Sequence, residues 1–168
     1  RLAHTKSFKV NGWIVVSLIC VSASVGHAFG RFSYGALLPA VRDDLGISNT
    51  LAGFIGGANV GAYLVGTLCV SWLAGRYRLL GIMRVGMVLA VVGLCGASFS
   101  SSAEMLGLSL CITGVGGALL WIPAPVSAAD AIPAHNRPLA VGLMGSGIGF
   151  GILDVSTVSG SVRGSRGD

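Results

Sequence analysis

The polar residues with the most chemical promise lie in one apolar run that starts near Gly12. Ser17, Ser24, His27, Arg31 and Tyr34 follow one another at steps of seven, three, four and three, and the residues between them are mainly Val, Ile, Leu, Ala and Phe. Those steps keep the side chains on one face of a helix. Lipid cannot satisfy a polar stripe, so a spanning helix that carries one turns it toward a bundle interior or a water-filled cavity. This face reads as the lining of a substrate path, with His27 able to titrate and Arg31 able to hold an anionic group. Blander roles stand beside these. His27 is more readily an interior histidine with satisfied hydrogen bonds than a proton carrier. Arg31 lies 18 residues beyond Trp13, about 27 Å along a helix, far enough to snorkel at the opposite interface. The two roles of Arg31 weigh equally.

Further along, Asn59 and Tyr63 stand one helical turn apart near mid-membrane. There a polar side chain either faces the cavity or, more simply, hydrogen-bonds across helices. Gly53, Gly57 and Gly61 recur every four residues, as do Gly145 with Gly149 and Gly147 with Gly151. Each set makes a face that a neighbouring helix can approach closely. Pro123 and Pro125, beside Trp121, predict a bend and a candidate gating element. Gly145-Ser146-Gly147-Ile148-Gly149 fails as a phosphate loop because no strand precedes it. No catalytic constellation is present, and His4, His27 and His135 are not at metal-ligand spacing. The expectation is therefore no enzymatic activity, no metal and no cofactor. Cys20, Cys69, Cys95 and Cys111 each lie inside an apolar run, with no C-x-x-C pair, and read as small core residues.

The elements that must position these residues follow from composition. Only 10% of the 168 residues are charged and mean hydropathy is +0.82, against about 25% charged in a soluble domain. Such a surface cannot face water on all sides. The expected fold is an all-α polytopic membrane bundle with spans over about 12–41, 51–75, 79–99, 103–128 and 139–153, followed by a disordered or aberrant tail over 154–168. Gly46 is a plausible helix stop, and Ser48, Asn49 and Thr50 suit the next N-cap. The first run is too long for the apolar core of a signal peptide.

The net charge of +5 comes from basic residues set singly between apolar runs. No basic face is interleaved with aromatic residues for stacking, so the expected partner is the lipid bilayer and not nucleic acid. Arg1, Lys6, Lys9, Arg76, Arg78, Arg84 and Arg137 fall on one side if the spans alternate. The positive-inside rule then puts the N-terminus in the cytoplasm of a bacterial inner membrane. Arg163 and Arg166 fall on the other side, which sets the tail apart.

Gly30-Arg31-Phe32-Ser33-Tyr34-Gly35-Ala36-Leu37-Leu38-Pro39 resembles the end of the first helix in the YbfB/YjiJ-type bacterial branch of the major facilitator superfamily. The resemblance continues through Asp44 to Ser48 and Gly56 to Gly66. Asn136-Arg137-Pro138-Leu139-Ala140-Val141-Gly142 is similar to the start of that family's fifth helix, and Ser146 to Ile152 to the Gly-rich stretch after it. The resemblance implies a twelve-helix secondary transporter of two six-helix halves that rock about a central cavity. It also implies that helices one, two, four and five contribute to that cavity or its gates. One departure stands out: Gly75-Arg76-Tyr77-Arg78 keeps bases but lacks the acid usual in the loop between helices two and three.

The expected chain is thus the truncated N-terminal portion of a transporter of an unknown small molecule, incompetent alone, whose partner is its missing C-terminal half. The alternative is a small membrane packing subunit that oligomerises through its Gly-rich faces.

Overall fold

The computed structural model describes residues 11–27 and 33–146. Within them every regular element is helical. Helix α1 covers Gly12–His27, α2 Ser33–Leu45, α3 Asn49–Leu73, α4 Leu79–Ser98, α5 Ala103–Trp121 and α6 Ala124–Asp130. A short 3-10 turn, Ala134–Asn136, leads into α7 over residues 137–146. The chain is therefore an all-α bundle. Asn49–Leu73, Leu79–Ser98 and Ala103–Asp130 are each long and apolar enough to cross a membrane.

Local chemistry sets the helix ends. Gly46 sits at φ 61°, a left-handed conformation, and the Ile47 N–H donates to the Arg42 carbonyl at 3.1 Å. That six-to-one bond closes α2 and satisfies one of its orphan carbonyls. Two residues on, Ser48 caps α3 by accepting from the Leu51 N–H at 3.2 Å. Ser102 caps α5 in the same way, accepting from the Met105 N–H at 3.2 Å. The expected bend falls at Ile122 and Pro123, which separate α5 from α6 while keeping right-handed helical dihedrals, with Pro123 at the N-cap of α6 and Pro125 in its first turn. Proline has no N–H to give to the ladder, so the ladder stops there.

Helix α5 is the central post. More than half of its membrane window is buried, against about a quarter for α3 and α4 (56% against 22% and 28%). It touches α3, α4, α1 and α6. At one end of the bundle, Val16, Met83, Leu120, Ala128 and Met144 bring α1, α4, α5, α6 and α7 together. At the other, Ile55, Leu106 and Leu110 pack with Tyr34, Val41 and Ala97, joining α2, α3, α4 and α5.

Unlike a soluble protein, the bundle has an apolar outer wall as well as an apolar core. Phe54, Leu64, Leu68, Trp72, Val88 and Leu108 are all exposed, as an outer surface bathed in hydrocarbon requires. Two cysteine expectations are corrected here: Cys69 and Cys95 are exposed, while Cys20 and Cys111 are half-buried. In a membrane both the core and the outer wall are apolar, so an apolar residue type does not say which one it joins.

Candidate functional site: the α1, α3 and α5 junction

Glycine lets α5 approach its neighbours at backbone distance. A Cβ at Gly114 would stand 2.5 Å from the Asn59 carbonyl of α3, and one at Gly66 only 3.1 Å from Val115 Cα. On the α4 side, a Cβ at Gly86 would meet the Gly116 carbonyl at 2.8 Å, and one at Gly93 the Ser109 carbonyl at 2.8 Å. Backbone atoms cannot yield as a flexible side chain can, so these glycines set the helix spacing.

Asn59 is buried in this contact. Its Nδ2 donates to the Leu110 carbonyl at 2.6 Å, crossing from α3 to α5. The sequence left it between cavity and helix glue, and this bond supplies the glue. Tyr63, one turn on, is half-buried. A Cβ built at Gly117 would lie 3.9 Å from both Tyr63 Cδ2 and the Gly26 carbonyl. Helices α1, α3 and α5 therefore converge at one level, one residue before His27. Tyr34 serves a different place: its hydroxyl donates to the Ala52 carbonyl at 2.8 Å, and its ring lies against Gly56. That phenol ties α2 to α3.

The remaining candidates separate. His27 closes α1, and its side chain, like that of Ser24, lies outside the description, as do Arg31 and Gly149 altogether. Ser17 is exposed, in a shallow groove with Trp13, Ile14, Leu18 and Val21. Gly53, Gly57, Gly61 and Gly145 have nothing within 4 Å of a built Cβ. The Gly53, Gly57 and Gly61 face read from sequence is thus open, Gly147, Gly149 and Gly151 lie outside the described residues, and the close approaches use Gly66, Gly86, Gly93, Gly114 and Gly116. Among the described residues, no three His, Cys, Asp or Glu side chains are grouped to hold a metal ion.

Sequence reasoning passed over two buried contributors. Ser109 and Thr113 are buried on α5, and the Thr113 hydroxyl donates to the Ser109 carbonyl at 2.9 Å. Their four-residue spacing beside Gly114, Gly116 and Gly117 was the available signal. Arg137 Nε donates to the Ala129 carbonyl at 3.1 Å, capping the C-terminal end of α6 as a cation does well.

The family model described as Major Facilitator Superfamily matches residues 20–162. Two uncharacterised MFS-type transporters of Mycobacterium tuberculosis, from strains CDC 1551 and H37Rv, are each 35% identical over 111 residues. That match covers 62% of this chain and 15% of each relative, so the chain spans only a small part of their length. No solved structure matches the chain.

Proposed function

The chain belongs to the major facilitator superfamily, and from that premise we propose that it forms part of a secondary active transporter of a small molecule. It is a multi-pass membrane protein; we assign it to the YbfB/YjiJ-type branch on the segment Gly30 to Pro39 and its continuation. Alternating access requires two halves that rock about a midplane site, so the chain acts with a companion C-terminal half.

The observation that carries the reading is the convergence of α1, α3 and α5 around Gly26, Tyr63 and Gly117. Gly26 precedes His27 in the chain, and a polar face of α1 at that level would have functional work. In this reading His27, Arg31 and Tyr63 line the cavity, Asn59 and Tyr34 hold its wall, and the break at Pro123 lets α6 move against α5. The membrane is the bacterial inner membrane, with the N-terminus in the cytoplasm. Supporting that orientation, Val15 near the start of α1, Arg78 and Asp130 lie around one cavity, so Arg78 shares the end of the bundle where the chain enters.

The test is ligand-dependent thermal stabilisation of the full-length parent transporter across a compound library. Arg31→Ala and Tyr63→Phe should abolish or weaken the response to the compounds that stabilise the parent. If both variants keep every response, the cavity reading falls and Arg31 is an interfacial anchor.

The open face of Gly53, Gly57 and Gly61 favours a second element of the reading: a seat for another helical bundle, either the companion half or, in the alternative function, a second copy of a packing subunit. A cysteine pair bridging Gly57→Cys to the companion half would support the first. Cross-linked homodimers alone would support the second.

A further inference from the structure

Helix α1 touches both sides of the break at Ile122 and Pro123. Its first turn lies on the end of α6. A Cβ built at Gly12 would run into the carbonyl of Ala131, the C-cap of α6, and would stand 3.3 Å from Ile132 Cγ2. Its last turn lies on α5. Gly26 is buried against the Leu120 side chain, and its carbonyl is 3.9 Å from a Cβ built at Gly117. From Gly12 to Gly26 the helix runs about 21 Å.

The facing surfaces match along that length. Gly12, Val16 and Ile19 follow at steps of four and three, and Ala124 and Ala128 at a step of four, so each set keeps to one face of its helix. Val16, Ile19, Ala124 and Ala128 are buried in one core cluster, together with Leu120 and Ile132. The chain between α5 and α6 is weak by comparison. Pro123 and Pro125 have no N–H to give to the carbonyls four residues back, so two rungs of the ladder across the joint are missing. Ile122 and Pro123 nevertheless keep right-handed helical dihedrals. Packing from outside the ladder must hold that geometry, and α1 lies against both segments, at backbone distance where Gly12 meets Ala131.

We propose that α1 is a brace across this joint. While Gly12 rests on the Ala131 carbonyl, α6 is held against the line of α5, and α6 swings only when the first turn of α1 lifts away. The two ends of α1 then have separate duties: Gly26 stays with α5 and Gly12 is the catch. Only glycine serves at the catch, because any Cβ there meets a backbone oxygen that cannot turn aside. The proposal rests on the reading of the Pro123 break as a moving joint, and it adds which element controls the movement.

Distances between spin labels test this in the purified chain with its native cysteines replaced. One label pair, Leu68→Cys with Asp130→Cys, reads α6 against α3; a second, Leu68→Cys with Leu108→Cys, reads α5 against α3. All three positions are exposed. Kinks at proline exceed about 20°, so freeing the end of α6, about 10 Å from the joint, should shift the first distance by about 3 Å or more and broaden it. Gly12→Val should do this and leave the second distance unchanged. Adding Pro123→Ala and Pro125→Ala restores the rungs and should return the first distance to its original value. Val16→Ala loosens the same contact without a clash and should broaden the first distance less, so it decides the matter even if Gly12→Val fails to fold. An unmoved first distance in every folded variant, equal changes in both distances, or a shift that the alanines do not reverse would each overturn the proposal. These distances need no ligand, so their failure leaves the transporter reading to its own ligand test.

Discussion

Asn59 shows how a polar side chain acts in a bilayer-spanning bundle. Its amide donates to the Leu110 carbonyl at 2.6 Å, yet that carbonyl also serves the ladder of α5. Removing the amide therefore leaves the acceptor satisfied. Asn59→Leu should cost only about 0.6 to 1.7 kcal/mol, the range measured for bonds between membrane helices, read by denaturant titration in detergent. A loss above about 3 kcal/mol would exceed what a bond between membrane helices contributes and overturn this reading of Asn59. That Asn59 would be interior was legible, because an amide at that depth cannot face lipid. Its partner was not, because a backbone carbonyl carries no sequence signature. The same blindness hid Ser109 and Thr113, whose neighbours on α4 are defined only by where Gly93 comes to rest.

At the scale of the helix, ends and faces behave differently. Ends are set within a few residues, so Gly46, Ser48 and Ser102 could be read locally. Gly46→Ala puts a side chain at φ 61° and should destabilise the chain by about 1 to 2 kcal/mol, seen as a lower thermal midpoint with unchanged helicity. Faces are set by neighbours. Gly93→Val drives atoms into the backbone of Thr113 and Ser109 and should cost about 3 kcal/mol or more, since neither helix can give. Gly57→Val meets nothing within 4 Å and should leave this chain's own stability within about 0.5 kcal/mol. Equal effects in a paired unfolding experiment would show that α3 and α4 pack on other faces than those described. Gly57 belongs to a glycine repeat of four and Gly93 does not, yet Gly93 makes the close contact, so periodicity alone cannot rank them.

For the whole molecule, the antiparallel order of α3, α4 and α5 puts Tyr77 and Ser101 at opposite ends of the bundle. In a variant whose native cysteines are replaced, Tyr77→Cys should react with a membrane-impermeant maleimide only when the cytoplasmic face is open. Ser101→Cys should react from outside intact cells. Labelling of both from one side would overturn the orientation proposed above.

Taken alone, the sequence determined that this chain is a helical membrane protein, where the caps at Gly46, Ser48 and Ser102 fall, and that Asn59 is interior. All of these follow from hydropathy, from the obligation to satisfy backbone groups, and from short-range chemistry. The tertiary structure decided which glycines touch backbone, that the Gly53, Gly57 and Gly61 face stays open, and that Tyr34 ties α2 to α3 while Tyr63 and Gly26 both flank Gly117. It also brought Arg78, Ser127 and Asp130, far apart in the chain, around one cavity. In a bilayer the inner and outer walls of a bundle share one composition, so only packing can tell them apart.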